Sequence, residues 1–257
     1  MSVRGAAEIV FSPPVQNWLK QVIYRHNCRL SPDHYRSALK HWYWLFKCRP
    51  CHVEEPRTMT EKIHWLKLYD STPVKGRLAD KFLVRQWVAD TVGERYLVPL
   101  LGVWDSPDEI DFESLPDSFV LKATHGSGWN ILVPDKRTLD VEGARQRLRD
   151  WLGLRQAMKG GFELHYEYCE PRIVCEPFLR DDSGGLRDYK FMVFDGVVQF
   201  VFTVDRPPGR ALRGTYLPDW TRAPFEYTCE ADRAPDVPAP AGLETMLSLA
   251  GELGKGF

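Results

Sequence analysis

The stretch DYKFMVFDGVVQFVFTV, Asp188 to Val204, constrains the fold more than any other. Two runs rich in β-branched and aromatic residues flank Asp195-Gly196, a pair that suits the tight turn of a hairpin because both residues tolerate positive φ. An antiparallel sheet is therefore expected in the C-terminal third. A second stretch, FVLKATHGSGWNILV from Phe119 to Val133, raises a chemical question as well. It sets Lys122 on an apolar run, follows it with His125-Gly126-Ser127-Gly128, and returns to an apolar run. Glycines let such a loop turn its N–H groups toward a polyphosphate, with Ser127 and His125 as further donors and Lys122 as a point charge. The same residues also describe an ordinary hairpin, which is the commoner role of a lysine before a Gly-Ser-Gly turn, so both readings stand here.

Helical signals fill most of the rest. RTMTEKIHWLKLYD carries Thr58 and Glu61 at capping-box spacing and predicts a helix to about Tyr69. RLADKFLVRQWVADTVG aligns Leu78, Phe82, Val88 and Val92 on one stripe that stops at Gly93, which puts Asp80 and Lys81 in the first turns of that helix. LDVEGARQRLRDWLG reads as a helix capped by Asp140 or a near neighbour, and LETMLSLAGELG as a last helix. RIVCEPFL reads as a buried strand. YLVPLLGVWDS is a proline-bounded connection, and Pro207 to Pro240 is proline-rich with one strand expected near FEYTC. This mixed order predicts an α+β fold with antiparallel sheets and flanking helices, not a doubly wound parallel sheet.

The charge balance, 34 Lys and Arg against 35 Asp and Glu, argues against a nucleic-acid partner, which would need a sustained basic surface. One asymmetry hides in that balance. Residues 1 to 52 hold Arg4, Lys20, Arg25, Arg29, Arg36, Lys40, Lys47 and Arg49 against Glu8 and Asp33. Trp18, Tyr24, Trp42, Tyr43, Trp44 and Phe46 are interleaved with them. Such a mixture suits an anionic membrane surface or a sugar-phosphate polymer, and it also suits the solvated basic face of a helical subdomain. The opening MSVRGAAEIVFSPPV lacks a signal-like apolar core and no run approaches a membrane span, so a cytoplasmic protein is expected, at the inner membrane face if the basic segment docks there. Its six cysteines are then expected to be thiols.

Several short motifs fall short of the chemistry they would require. CRPCH, Cys48 to His52, has the spacing of a haem attachment site, and a zinc site there would need Cys28 and His26 as further ligands; structural thiols are the expected role. Neither a P-loop nor a dinucleotide-binding fingerprint occurs. No Asp-x-Asp tripeptide is present for the metal of a glycosyltransferase; DEID only approaches one.

Taken in order, the phrases MTEKIHWLKLYD, LADKFLVR, VPLLGVWDSPDEIDFESLPDSFVLKATHGSG, VCEPFL, DYKFMVFDG and the terminal GKGF resemble the TupA-like ATP-grasp family, associated with teichuronopeptide and other surface-polymer biosynthesis. The resemblance runs from about Pro56 to the C-terminus. It implies ATP held between two α+β subdomains, with Lys81 and Lys122 on the phosphates and His125, Gly126, Ser127 and Gly128 as the covering loop. It implies Glu176 at the adenine amino group, Asp188 at the ribose hydroxyls, Lys190 toward the phosphates or the acceptor, and Arg206 and Arg213 on a carboxylate or γ-phosphate. The implied reaction activates a carboxylate as an acyl phosphate that an amine then attacks, with magnesium bridging the phosphates.

In the family the magnesium ligands lie in strands that should follow GKGF. They are expected beyond residue 257, so no metal ligand is assigned within the chain, and a truncated or fragmentary product lacking the last metal-binding strands is expected. The expected organisation is a helical basic region over 1–56, an ATP-grasp N-terminal subdomain with the glycine loop over 57–175, and an incomplete C-terminal subdomain over 176–257. The expected function is that of an ATP-dependent carboxylate-amine ligase of surface-polysaccharide assembly, with ATP and a glycan or amino-acid acceptor as partners. A glycosyltransferase-like polysaccharide biosynthesis protein and a non-catalytic interaction module are the alternatives.

Overall fold

The chain is described by a computed structural model over residues 12–180, 186–207, 211–226 and 233–256. Helix α1 (Pro13–Asn27) opens on two prolines, where the missing N–H removes no helical hydrogen bond. Helix α2 (Tyr35–Lys47) ends at Cys48, which takes the left-handed conformation at φ 52°. Helix α3 (Met59–Tyr69) starts with the expected capping box: Thr58 Oγ1 accepts from the Glu61 N–H, and Glu61 accepts in return from the Thr58 N–H at 2.9 Å. Glu61 also accepts from the backbone of His52 and Arg57. These N–H donors, His52 foremost, hold its carboxyl down at about 2 despite burial.

The single helix expected across Leu78 to Val92 is two. Helix α4 (Pro73–Ala79) ends at Asp80, whose backbone is extended, and α5 (Val84–Val92) begins after a turn. The carboxylate of Asp80 accepts from the N–H groups of Phe82 and Leu83 at 2.8 and 3.0 Å, competing with helix continuation and capping the next helix. Asp80 and Lys81 therefore sit in a junction and not in first helical turns, while the stop at Gly93, φ 107°, falls where expected.

Strands β1 (Gly102–Trp104), β2 (Phe119–Ala123) and β3 (Asn130–Val133) precede helix α6 (Val141–Leu152), which Asp140 caps through the Gly143 N–H at 3.0 Å. Then come β4 (Ile173–Pro177), β5 (Asp188–Phe194), β6 (Val197–Asp205), β7 (Leu212–Tyr216) and helix α7 (Leu243–Leu253). Two antiparallel sheets result, ordered β1-β4-β2-β3 and β5-β6-β7. Two strands were not expected. The three residues of β1 pair with β4 inside the proline-bounded connection, and β7 pairs with β6 inside the proline-rich stretch. Of FEYTC, Phe225 shares a bend with Pro224, Glu226 is in neither helix nor strand, and the remaining three residues lie outside the described residues.

The described residues form two compact units, one running to Arg85 and resuming over Pro99–Pro177, the other comprising Gln86–Val98 and the chain from Phe178. In the first unit, alternation along β2 and β4 sends Phe119, Leu121, Ile173 and Cys175 toward Ala144 and Leu148 of α6. Each large apolar side chain so buried contributes about 1.5–3 kcal/mol. The N-terminal helices belong to the same unit, where Leu39 and Tyr43 pack with Val53, Met158 and Phe162. In the second unit the β5–β6 hairpin turns on Asp195 and Gly196, both at positive φ, as the sequence predicts.

Candidate functional site

The faces of β2 and β4 opposite the α6 core carry the chemistry. Lys122 stands opposite Val174 and Glu176 opposite Val120, so the two charged residues are diagonal neighbours on one face. The Lys122 Nζ donates to Glu176 Oε2 in an ion pair. Arg85 lies 3.8 Å from the other Glu176 oxygen. Arg85 escaped the sequence reading; its signal was its place four residues after Lys81.

Lys81 is drawn into the glycine loop. Its Nζ donates to the carbonyl of Ala123 at 2.9 Å and to that of Gly126, and its N–H meets the Thr124 carbonyl at 3.3 Å. Burial pushes its ammonium down, Asp80 opposes, and the charge of Lys122 pushes down again. Two ammonium groups thus share one electrostatic neighbourhood, with a third donor position of Lys81 unspent by the two carbonyls. Asp80 is 1% exposed, and its Oδ2 has no hydrogen-bond partner among the described residues.

The loop itself divides in two. His125 and Gly126 are buried, whereas Ser127 and Gly128 are exposed. The His125 Nε2 lies 3.1 Å from the Trp151 carbonyl, and its ring meets Trp129 edge-on with centroids 4.9 Å apart. Burial holds the imidazole below its ordinary range. A Cβ on Gly126 would come 2.3 Å from the Trp129 ring, and Gly128 takes φ 78°, so each glycine answers a local demand. Thr124 ties the loop's base to the strand leading into β4, accepting from the Arg172 N–H at 3.1 Å and donating to the Glu170 carbonyl at 2.9 Å.

The second unit holds the other candidates. Asp188 accepts from Arg206 Nη2 at 2.7 Å and lies 3.5 Å from Lys190 Nζ. Burial alone would raise its carboxyl, but those two cations outweigh it and hold the group below the usual range. Arg213 pairs with Val204, which pairs with Asp188, so register places Asp188 and Arg213 on one face. Lys81, Lys122, Glu176 and the loop are thus brought together within the first unit, and Asp188, Lys190 and Arg206 within the second.

The CRPCH residues do not gather ligands. Cys51 is buried in the core beside Val53, and burial raises its thiol to about 11, while Cys48 is exposed. Among the described residues no group of three His, Cys, Asp or Glu side chains could hold a metal ion. Among the described residues, too, no helix is long and apolar enough to cross a membrane.

An α+β chain with two antiparallel sheets, and a lysine strand that closes on a glycine loop, has the form of an ATP-grasp protein. It belongs to the TupA-like ATP-grasp family, whose model matches residues 61–257. No curated protein and no solved structure matches the chain.

Proposed function

We propose that the chain binds ATP through the loop-and-lysine site of the first unit and serves an ATP-dependent ligase that joins a carboxylate to an amine in surface-polysaccharide assembly. The observation that carries this reading is the seating of Lys81 in the carbonyls of the glycine loop beside the Lys122–Glu176 pair. Partly buried ammonium groups in one neighbourhood favour a multiply charged anion, because it relieves their mutual repulsion and replaces lost hydration. Lys122 and Lys81 would meet the phosphate oxygens, with Ser127 and the loop N–H groups as neutral donors. A carboxylate accepts several hydrogen bonds at once, so Glu176 can keep Lys122 and still take the adenine amino group. Asp188 is proposed for the ribose hydroxyls, and Lys190, Arg206 and Arg213 for the carboxylate substrate or the γ-phosphate.

In the proposed reaction a carboxylate oxygen attacks the γ-phosphorus and ADP leaves. The acceptor amine then attacks the acyl carbon, expels phosphate and loses a proton. Positioning and charge neutralisation carry such a transfer. The described carboxylates do not assemble a magnesium site, so no step is assigned to the metal.

Titration of the full chain with a fluorescent ATP analogue tests the reading. Lys122→Ala should weaken binding by about ten- to a hundredfold, the scale of one charge-assisted hydrogen bond in a partly buried site. Displacement of the analogue by a UDP-sugar but not by ATP would favour the glycosyltransferase alternative. Unchanged binding in Lys122→Ala would remove the phosphate role.

A further inference from the structure

Helix α1 leaves an apolar stripe uncovered on its outer side. Val15, Trp18 and Val22 recur at three- and four-residue spacing and so share one face. All three are exposed, Trp18 by 64%. Arg25 continues that face at the same spacing, Arg29 follows in the turn after the helix, and both are exposed. The other side of the helix does the packing: the Asn27 side chain donates to the Met158 carbonyl at 3.0 Å, and the Tyr24 hydroxyl accepts from the Arg155 N–H at 2.9 Å. The outer stripe is therefore not needed to hold the helix in place.

Charge singles out the partner. Neither α1 nor α2 contains an acidic residue, and Asp33 is the one acid across residues 12–53. Glu54 occupies two of the cations, Lys40 at 2.6 Å and Arg36 at 3.5 Å. Lys20, Arg25, Arg29 and Lys47 are exposed with no carboxylate partner among the described residues. Trp44, 63% exposed, adds a second indole on α2. An exposed tryptophan between two valines, followed by arginines and no acid, fits the boundary of an anionic bilayer, where indole rings settle at headgroup depth and cations meet lipid phosphates. An acidic protein surface would match the charge but has no need of the apolar stripe.

We infer that this face docks peripherally on an anionic lipid bilayer, with Val15, Trp18 and Val22 entering the headgroup boundary and Arg25 and Arg29 on the anionic headgroups. The apolar area is small, so neither the stripe nor the cations suffice alone. This role stands apart from the nucleotide reading, which concerns other residues.

Flotation of the full chain with vesicles tests it, using phosphatidylcholine alone or with about a third phosphatidylserine. Retention is expected on the anionic vesicles only, and it should fall as salt rises. Trp18→Ser and the double variant Arg25→Glu with Arg29→Glu should each lower the partition coefficient by about tenfold. Both changes are at exposed positions, so circular dichroism and ATP-analogue binding should stay as in the parent. Absence of retention, equal retention on neutral vesicles, or indifference to either variant would overturn the inference. Capture by polyglutamate as strong as by anionic vesicles, and insensitive to Trp18→Ser, would also overturn it in favour of an acidic protein partner.

Discussion

Two hairpins of this protein, β2–β3 and β5–β6, close by different means. Between β5 and β6 the turn is two residues, Asp195 and Gly196, at φ 47° and 78°, and its shape follows from what those residues tolerate. Among the described residues its outside hydrogen bonds are two: the Gly196 N–H reaches the Gly254 carbonyl at 3.0 Å, and Asp195 accepts from the Gly256 N–H at 3.3 Å. Between β2 and β3 the loop is longer and is shaped from outside, by the Lys81 ammonium on two of its carbonyls, the Trp151 carbonyl near His125, and the Trp129 ring against Gly126. Turn chemistry is local, whereas the β2–β3 loop borrows its shape from the tertiary structure. The first kind of hairpin should tolerate losing a neighbour, and the second should not.

The largest effect is expected from Gly126→Ala. The new methyl would overlap Trp129, whose ring is buried between His125 and the Lys159 ammonium, 4.6 Å from its centroid. Overpacking against a trapped ring costs about 3 kcal/mol. Chemical denaturation should show a loss of that size, and ATP-analogue binding should fall with it. Wild-type stability in Gly126→Ala would mean the ring can move and that the loop is less constrained than its contacts imply.

Acid should separate the hairpins next. Burial lowers the His125 imidazole, the Trp151 carbonyl opposes, and the neighbouring Lys81 cation lowers it again while Asp80 opposes. The folded pKa lies below the ordinary value of about 6.5, so as pH falls the unfolded chain takes the proton first. The contribution of neutral His125 is whole above about pH 6.5 and is lost as pH drops below it. His64, lowered by burial to about 4, slopes global stability the same way, so a melting curve alone would mix the two. Amide exchange resolves them: protection in the β2–β3 loop should fall as pH drops below about 6.5 and that fall should flatten in His125→Asn, while the Asp195-Gly196 turn stays unchanged. Parallel loss in both hairpins that His125→Asn removes would mean that His125 acts on global and not local stability.

The same contrast explains what was legible in the sequence. Asp195-Gly196, the Thr58–Glu61 capping box and the Asp140 cap rest on interactions spanning at most three residues, and each was visible in the letters. The apolar runs of β2, β3 and β4 were visible too. The break at Asp80 was hidden because the stripe from Leu78 to Val92 runs through it, and only the Asp80 bonds to Phe82 and Leu83 reveal two helices. Strands β1 and β7 were hidden because Gly102 and Gly214 weaken their intrinsic preference, and pairing with β4 and β6 supplies it. At the site, Lys122 and the glycines could be picked out individually. Their diagonal ion pair with Glu176 depends on the β2–β4 register, and the seating of Lys81 on loop carbonyls depends on a contact across more than forty residues.

The smallest expected effect lies at the self-sufficient turn. Gly196→Ala places a side chain at φ 78°, where a non-glycine residue carries strain, and its Cβ would come 3.1 Å from Lys255 Cγ. That contact is with a flexible side chain that can swing away, so the cost should be mostly conformational, about 1 kcal/mol. A fall of the midpoint in urea by that amount, with ATP-analogue affinity unchanged, is the expected result. The comparison would fail if Gly196→Ala weakened nucleotide binding as much as Gly126→Ala, because a turn built from local chemistry should transmit nothing to a loop shaped by contacts it does not make.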